Sequence, residues 1–342
     1  MLVPKAPPLL VLPCPSHSYI LYEGGRYMKK LKMAAILIFA AWFSVNNPFV
    51  DTYVASLTGS VLTVGKQEDP LYQSIVKNAS TYEIPPSNAK IDEVWKAIPG
   101  YNGLSVDIEA SYKNMKKSGI FDEKKLVFKQ TKPSVHLKDL SASPIYRGNP
   151  DKPMVSFIIN VAWGNEYLPE MLAALKKHQV KASFFLEGRW VKNNPDLAKM
   201  IVSSGHEVGN HSYTHPDMKR ISSAQTREQL QKTNEVIEAA TGNKSIWFAP
   251  PSGSYRDETV QIAAEFNMKT VMWTVDTIDW QKPTPDQLIH RVISKIDNGY
   301  MVLMHPTVST AKSLDRLITL IEEKGLKIGT VSDLMSEERI MK

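Results

Sequence analysis

One cysteine, Cys14, occurs in 342 residues, so no disulfide can form within the chain. Long apolar runs are also missing: the stretch MAAILIFAAWFSV (33–45) has 13 residues, short of the roughly 20 that a membrane helix needs. There is no concentrated positive charge in the body of the chain. The net charge is +6, but Lys5, Arg26, Lys29, Lys30 and Lys32 against Glu23 place +4 of it in the first 50 residues, leaving 36 basic and 34 acidic residues, or +2, for the rest. A nucleic-acid partner calls for a basic face, so none is expected. A hydrophobic content of 43% supplies a globular core and excludes a largely disordered chain.

The most informative segment present is HSYTH, His211 to His215. Two imidazoles four residues apart can reach one metal ion from the same side of a helix or a tight loop. The pair follows SGHEVGN (204–210), in which 207–210 reads as a short strand after a glycine turn. In α/β proteins chemistry collects beyond the C-terminal ends of strands, which is where this places the histidines. Taken alone, the same pair would serve equally as a solvated loop feature.

Four further segments occur with it in a fixed order: KKHQVKASFFLEG (176–188), FAPPSGSY (248–255), WTVDTIDW (273–280) and LMHP (303–306). With SGHEVGNHSYTHPDM (204–218), they resemble the polysaccharide deacetylases with a NodB homology domain, in particular a cell-wall and sporulation subgroup with a degenerate first motif. The resemblance covers roughly 154–334. It implies a distorted (β/α) barrel with fewer than eight strands over 150–342. It also implies hydrolysis of the acetamide of an N-acetylhexosamine with the help of a divalent metal, usually zinc. By the same resemblance His211 and His215 are metal ligands, His305 is the general acid for the departing amine, and Asp279 orients and tunes His305. The backbone N–H of Ser252, after Pro250 and Pro251, is an oxyanion donor; Tyr255, Trp280 and Leu303 complete the substrate groove.

The departures are as specific as the matches. The family's first motif ends a strand with two aspartates, a base and a third metal ligand, yet no carboxylate lies between Asp151 and Glu166. Counting back from KASFF puts Asn160 at the base position and Val161 at the ligand position; aligning on Gly164 instead puts Ala162 and Trp163 there. Asn160 is preferred, because it ends the apolar run 154–159 and has nearly the shape of aspartate. An amide does not accept a proton near neutral pH, so Asn160 cannot be a general base. The arginine that pairs with the base in this family is replaced by Ala249. The two losses agree, since an arginine without its carboxylate would be an unpaired buried charge. A metal, if held, is therefore expected to bind weakly.

Residues 28–50 read as a positive n-region followed by an apolar h-region, a signal peptide or uncleaved anchor. Residues 1–27 lack periodicity and read as a mis-called start, with Met28 as the true one. The stretch 51–90 is expected to be a linker and 91–140 a small α+β module, set off by the proline- and polar-rich run 141–153. In the main domain, helices are expected over 168–178, 222–240 and 313–324, and buried strands over 182–186, 269–275 and 300–304. The helix at 222 carries a capping box (Ser222, Gln225) and a glycine stop at Gly242. Repeated βα units imply parallel strands. Function divides between a deacetylase acting on cell-envelope glycan, most plausibly peptidoglycan, and a non-catalytic relative that keeps the groove to bind glycan or a partner. Either would sit at the outer face of the membrane or in the wall, touching the membrane only through the leader.

Overall fold

The computed structural model describes residues 32–33 and 67–341. The expected mis-called start and nearly all of the leader lie outside the described residues. Within the stretch expected as a linker, Pro70–Ala79 is a helix. Leu71 and Ile75, one turn apart on that helix, are both buried, a spacing that the polar context of the sequence obscured.

From Ile75 onward the chain is one compact unit. Residues 91–140 fall in it as two antiparallel pairs, β1 (Lys90–Asp92) with β2 (Lys96–Ile98) and β3 (Gly103–Val106) with β4 (Phe128–Thr131). Asp107 ends β3 and caps the helix Ile108–Met115 by accepting from the Ala110 N–H. These strands are lashed to the rest of the unit rather than set off from it. Ala97 donates to the Pro144 carbonyl at 3.0 Å and Ile145 to the Thr270 carbonyl at 2.9 Å. Ala97 and Ile145 are buried in one apolar cluster with Trp247, Val331 and Leu334.

The remaining eight strands form one parallel sheet: β5 (Met154–Val161), β6 (Ser183–Leu186), β7 (Glu207–Asn210), β8 (Trp247–Phe248), β9 (Lys269–Thr270), β10 (Val275–Asp276), β11 (Met301–Met304) and β12 (Lys327–Gly329). Seven run in the order β10-β11-β5-β6-β7-β8-β9, and β12 pairs with the first residues of β5. This is the expected distorted barrel. Both faces of β5 are apolar, as a parallel strand covered on both sides requires. Val155, Phe157, Ile159 and Val161 lie in the layer beneath the helices, whereas Ile158 packs inward with Met301, Leu303 and Trp247.

Two helices match the expected pattern closely. Ser223–Thr241 starts at the Ser222–Gln225 capping box and stops at Gly242 with φ +75°. Leu168–Lys177 ends one residue early. The last long helix begins earlier than expected, at Val308, because Thr307 caps it through Thr310. The run 269–275, expected as one strand, is two. Its first part pairs with β8 and its last with β11, while the Met272 N–H bonds the Ile145 carbonyl between them. One apolar run thus crosses from one edge of the open sheet to the other.

The N-terminal ends of the strands are closed by a carboxylate. Glu207, the first residue of β7, accepts from the Ser183 hydroxyl, the Trp247 indole N–H at 3.0 Å and both the hydroxyl and the N–H of Ser332. This ties the helix Val331–Met335 beneath the barrel. Glu207→Ala removes the acceptor of the Ser183 hydroxyl and of both Ser332 donors, while the Trp247 indole N–H keeps the Ser332 hydroxyl oxygen at 2.9 Å, and is expected to cost about 3 kcal/mol, since unpaired donors to a charged group lie at the upper end of the hydrogen-bond range. Urea unfolding of the two proteins measures it.

Candidate metal centre and acid–base cleft

Every residue named for chemistry stands at or just after the C-terminal end of a parallel strand: Asn160 on β5, His211 after β7, Ala249 after β8, and His305 after β11. They surround an open cleft of about 370 Å³, lined among others by Asn160, Ala162, His211, His215, Leu303 and His305.

The HSYTH segment is a tight loop, not a helix. Ser212 and His215 both have positive φ, +61° and +55°, conformations that cost non-glycine residues energy and persist only where the surroundings fix them. Asn210 Oδ1 accepts from the Ser212 N–H at 2.8 Å, and Ser212 Oγ from the His215 N–H at 3.1 Å. Gln229 Oε1 accepts from the N–H groups of Tyr213 and Thr214, each at 2.8 Å. The loop is therefore held from the helix Ser223–Thr241 and from its own side chains.

The two imidazoles meet edge to face with ring centroids 5.0 Å apart. His211 is fully buried, and its Nδ1 lies 2.7 Å from the Ala249 carbonyl, an arrangement in which Nδ1–H donates and Nε2 keeps its lone pair. Burial, then the neighbouring His215, pushes its pKa down to about 3; burial lowers His215 as well. Both rings are neutral at physiological pH, the form that ligates metal.

Across the cleft, His305 Nδ1 lies 2.8 Å from Asp279 Oδ1, and the His305 N–H donates to Asp279 Oδ2 at 2.6 Å. Thr310 Oγ1 donates to the same oxygen at 2.6 Å, so the wholly buried carboxylate is held from three directions. Asp279 sits in a short turn, Asp279–Gln281, flanked by Ile278 at φ +51° and Lys282 at φ +55°. The left-handed Ile278, β-branched and disfavoured there, is the bend that sends Asp279 inward and leaves Trp280 exposed at the lip. Trp163 lies parallel to His305, planes 7° apart and centroids 6.0 Å. Gly164, at φ +83°, passes so close to Pro306, the residue after His305, that a Cβ would stand 2.0 Å from the Pro306 carbonyl oxygen. Only glycine lets the loop after β5 run beside His305.

Asn160 reaches the cleft and is 4% exposed, and its Oδ1 has no hydrogen-bond partner. A buried carbonyl oxygen left unpaired beside two neutral imidazoles is what a water or a cation would complete. The donor set is nevertheless one carboxylate short. Val161 belongs to the apolar layer beneath the helices, so the side chains that β5 and its continuation offer to the cleft are Asn160, Ala162 and Trp163, none of them a carboxylate. Among the described residues no three His, Cys, Asp or Glu side chains gather as a metal set. The residues present thus fit a divalent ion through His211 and His215, with neutral oxygen from Asn160 and without the anionic ligand that would hold it firmly.

Of the expected groove residues, Ser252, Trp280 and Leu303 line the cleft; Ser252 is held at φ +54° in the turn after Pro250. Leu303 also packs in the barrel interior. Two do not line it. Pro250 is buried under the turn, and Tyr255 points to Tyr146, their hydroxyls 2.8 Å apart, with burial pushing the Tyr255 pKa up. Nearness in sequence to the third motif did not put Tyr255 on the cleft side of the turn. Two residues of the lining were missed, Trp273 and Asp276, and Trp163, named only as an alternative position of the first motif, also lines it. Asp276 ends β10, in register with Leu303, so its place at a strand's C-terminal end was the signal that could have identified it.

The sequence profile of the polysaccharide deacetylase family matches residues 147–271. The uncharacterized protein YlxY of Bacillus subtilis is 58% identical over 306 residues, spanning 90% of this chain and 96% of that one. The peptidoglycan-N-acetylmuramic acid deacetylase PdaA of the same species is 32% identical over 202 residues, 57% of this chain and 76% of its own. A solved CE4 family pseudoenzyme from Bacillus anthracis is 62% identical, with a TM-score of 0.76 over 80% of this chain and 97% of that one. A mutant of that pseudoenzyme, 61% identical to this chain over the same share, has restored enzymatic activity. With a barrel, a histidine pair and a buried Asp–His dyad in the places described, the chain belongs to the polysaccharide deacetylase family.

Proposed function

We propose that this protein is a cell-envelope polysaccharide N-deacetylase scaffold in which acid catalysis and substrate binding are kept while base catalysis is lost. The observation that carries it is the pairing, in one cleft, of an Asp279-held His305 with an amide, Asn160, where the base would stand. The relatives named as peptidoglycan deacetylases, PdaA among them, support peptidoglycan as the glycan.

In this reading the N-acetyl group enters between Leu303 and Trp280, and His305, oriented by Asp279, gives its proton to the departing amine. Asn160 Oδ1 accepts a hydrogen bond from the attacking water and holds it without removing its proton. A divalent ion at His211 and His215, with zinc the ion we favour, would polarise the acetyl carbonyl and acidify the water. Loss of the base is expected to cost about 10²- to 10⁴-fold in rate. The likeness to a CE4 family pseudoenzyme favours a second reading in parallel, a protein that binds glycan without hydrolysing it. The apolar leader supports a place at the outer face of the membrane or in the wall, with membrane contact only through that leader.

Two outcomes are expected. Zinc titrated into the apo protein binds more weakly than in relatives with three protein ligands, and His211→Ala abolishes the binding; a nanomolar Kd that survives His211→Ala would put the site elsewhere. Acetate release from N-acetylglucosamine oligomers rises in Asn160→Asp by about 10²-fold or more, because a proton acceptor replaces an amide at constant volume. Ala249→Arg adds to that gain by pairing with the new carboxylate, and His305→Ala removes it. A wild type already fast and indifferent to Asn160→Asp would locate the base in another residue.

A further inference from the structure

The helix Pro285–Ile293 buries Leu288, Ile289 and Val292 and turns its other side outward. On that side Gln287, Arg291 and Lys295 follow one another at four-residue intervals, with His290 beside them. A stripe of this kind is ordinarily a solvated face. Here it is the wall of a cavity of about 560 Å³, closed on the far side by Gln281 and Lys282 of the turn that carries Asp279. Lys282 is at φ +55°, a conformation a lysine adopts only when its surroundings hold it.

No carboxylate lines this cavity. Among the described residues none of Lys282, His290, Arg291 and Lys295 has an ion-pair partner, and Asp286, the acid on the same helix, is taken by Arg316 at 2.7 Å. The Arg291 Nε–H is buried without an acceptor. Three cations and an imidazole line one concavity, and one of them, Arg291, carries a buried N–H without an acceptor; what such a set lacks is an oxyanion.

We propose that this cavity binds a carboxylate or phosphate group carried by the glycan whose acetamide enters the cleft, which makes the preferred substrate an acidic polysaccharide rather than a neutral one. Position supports the link. Gln281 lines this cavity and its chain neighbour Trp280 lines the cleft, so consecutive residues of one turn serve the two sites. The proposal rests on the glycan reading for the identity of the polymer; the oxyanion site itself does not.

Calorimetric titrations with three probes test it on the full chain: inorganic phosphate, neutral chitotetraose, and a peptidoglycan tetrasaccharide whose muramyl lactyl groups carry carboxylates. The double variant Lys282→Ala with Lys295→Ala, exposed positions outside the catalytic cleft, is compared with wild type. Wild type is expected to bind phosphate and to favour the acidic tetrasaccharide by about tenfold, with the preference falling as salt rises. The double variant loses the preference and the phosphate binding and keeps its chitotetraose affinity. No phosphate binding by wild type, or an acid preference that survives in the variant, overturns the proposal. Lysine-dependent phosphate binding without binding of either tetrasaccharide sustains the oxyanion site and overturns the glycan reading instead.

Discussion

The whole arrangement depends on β5, the one strand that pairs with three others. Its first residues bond β12 and β11, and its last bond β11 and β6, so Met154–Val161 fixes where every other strand ends. Apart from the buried Ser156, that strand is committed to apolar packing until Asn160, the first of its side chains to line the cleft. In a parallel barrel the C-terminal ends of strands share one rim, so Asn160, the penultimate residue of β5, shares a cleft with residues of the loops after β7, β8 and β11. His211, Ala249 and His305 are near Asn160 because their strands are packed in this order.

A carboxylate and an arginine are each costly to bury alone and tolerable together. Replacing one of them by a neutral group leaves the other stranded, and the chain carries Asn160 and Ala249, neutral at both places. Ala249 is buried among Ile158, Phe185 and Trp247, in the apolar interior of the barrel. What survives on the acid side is independent of that pair. Asp279 is held by the His305 backbone and by Thr310 as well as by the imidazole, and its turn is bent by Ile278. On the proposed reading, loss of the base leaves the Asp279–His305 pair and the histidine loop in place, because neither is held by Asn160 or Ala249 side chains.

Much of this was legible from residues alone, and the limits were physical. Local signals read correctly: the capping box at Ser222, the glycine stop at Gly242 and the strand before HSYTH are set by near neighbours. Features set by distant partners did not read. The run 269–275 splits because β8 and β11 compete for it from opposite edges, and no local pattern records that. The strands of 91–140 look like a separate module in sequence because their partners, such as Pro144 and Glu337, are remote in the chain. Site residues divide the same way. His211, His215, Asp279, Asn160 and His305 stand in the motif segments, and the fold gathers Asn160, His211, His215 and His305 around one cleft with Asp279 behind His305. Tyr255 lies in a motif but on the wrong side of its turn, and Asp276 belongs to the cleft through strand register, which sequence spacing does not display.

The central claim is that this cleft holds a competent acid and an amide, Asn160, in place of the base. The pH dependence of acetate release, measured on the native chain and on Asn160→Asp, addresses it most directly. With no protein base, the native rate should fall continuously with hydroxide as the pH drops below neutrality, without an inflection, whereas Asn160→Asp should acquire an acid limb that inflects in the carboxylate range, around pH 4 to 6, as its new base ionises. The same acid limb in the native chain would mean that a carboxylate already serves there, and the account would fail.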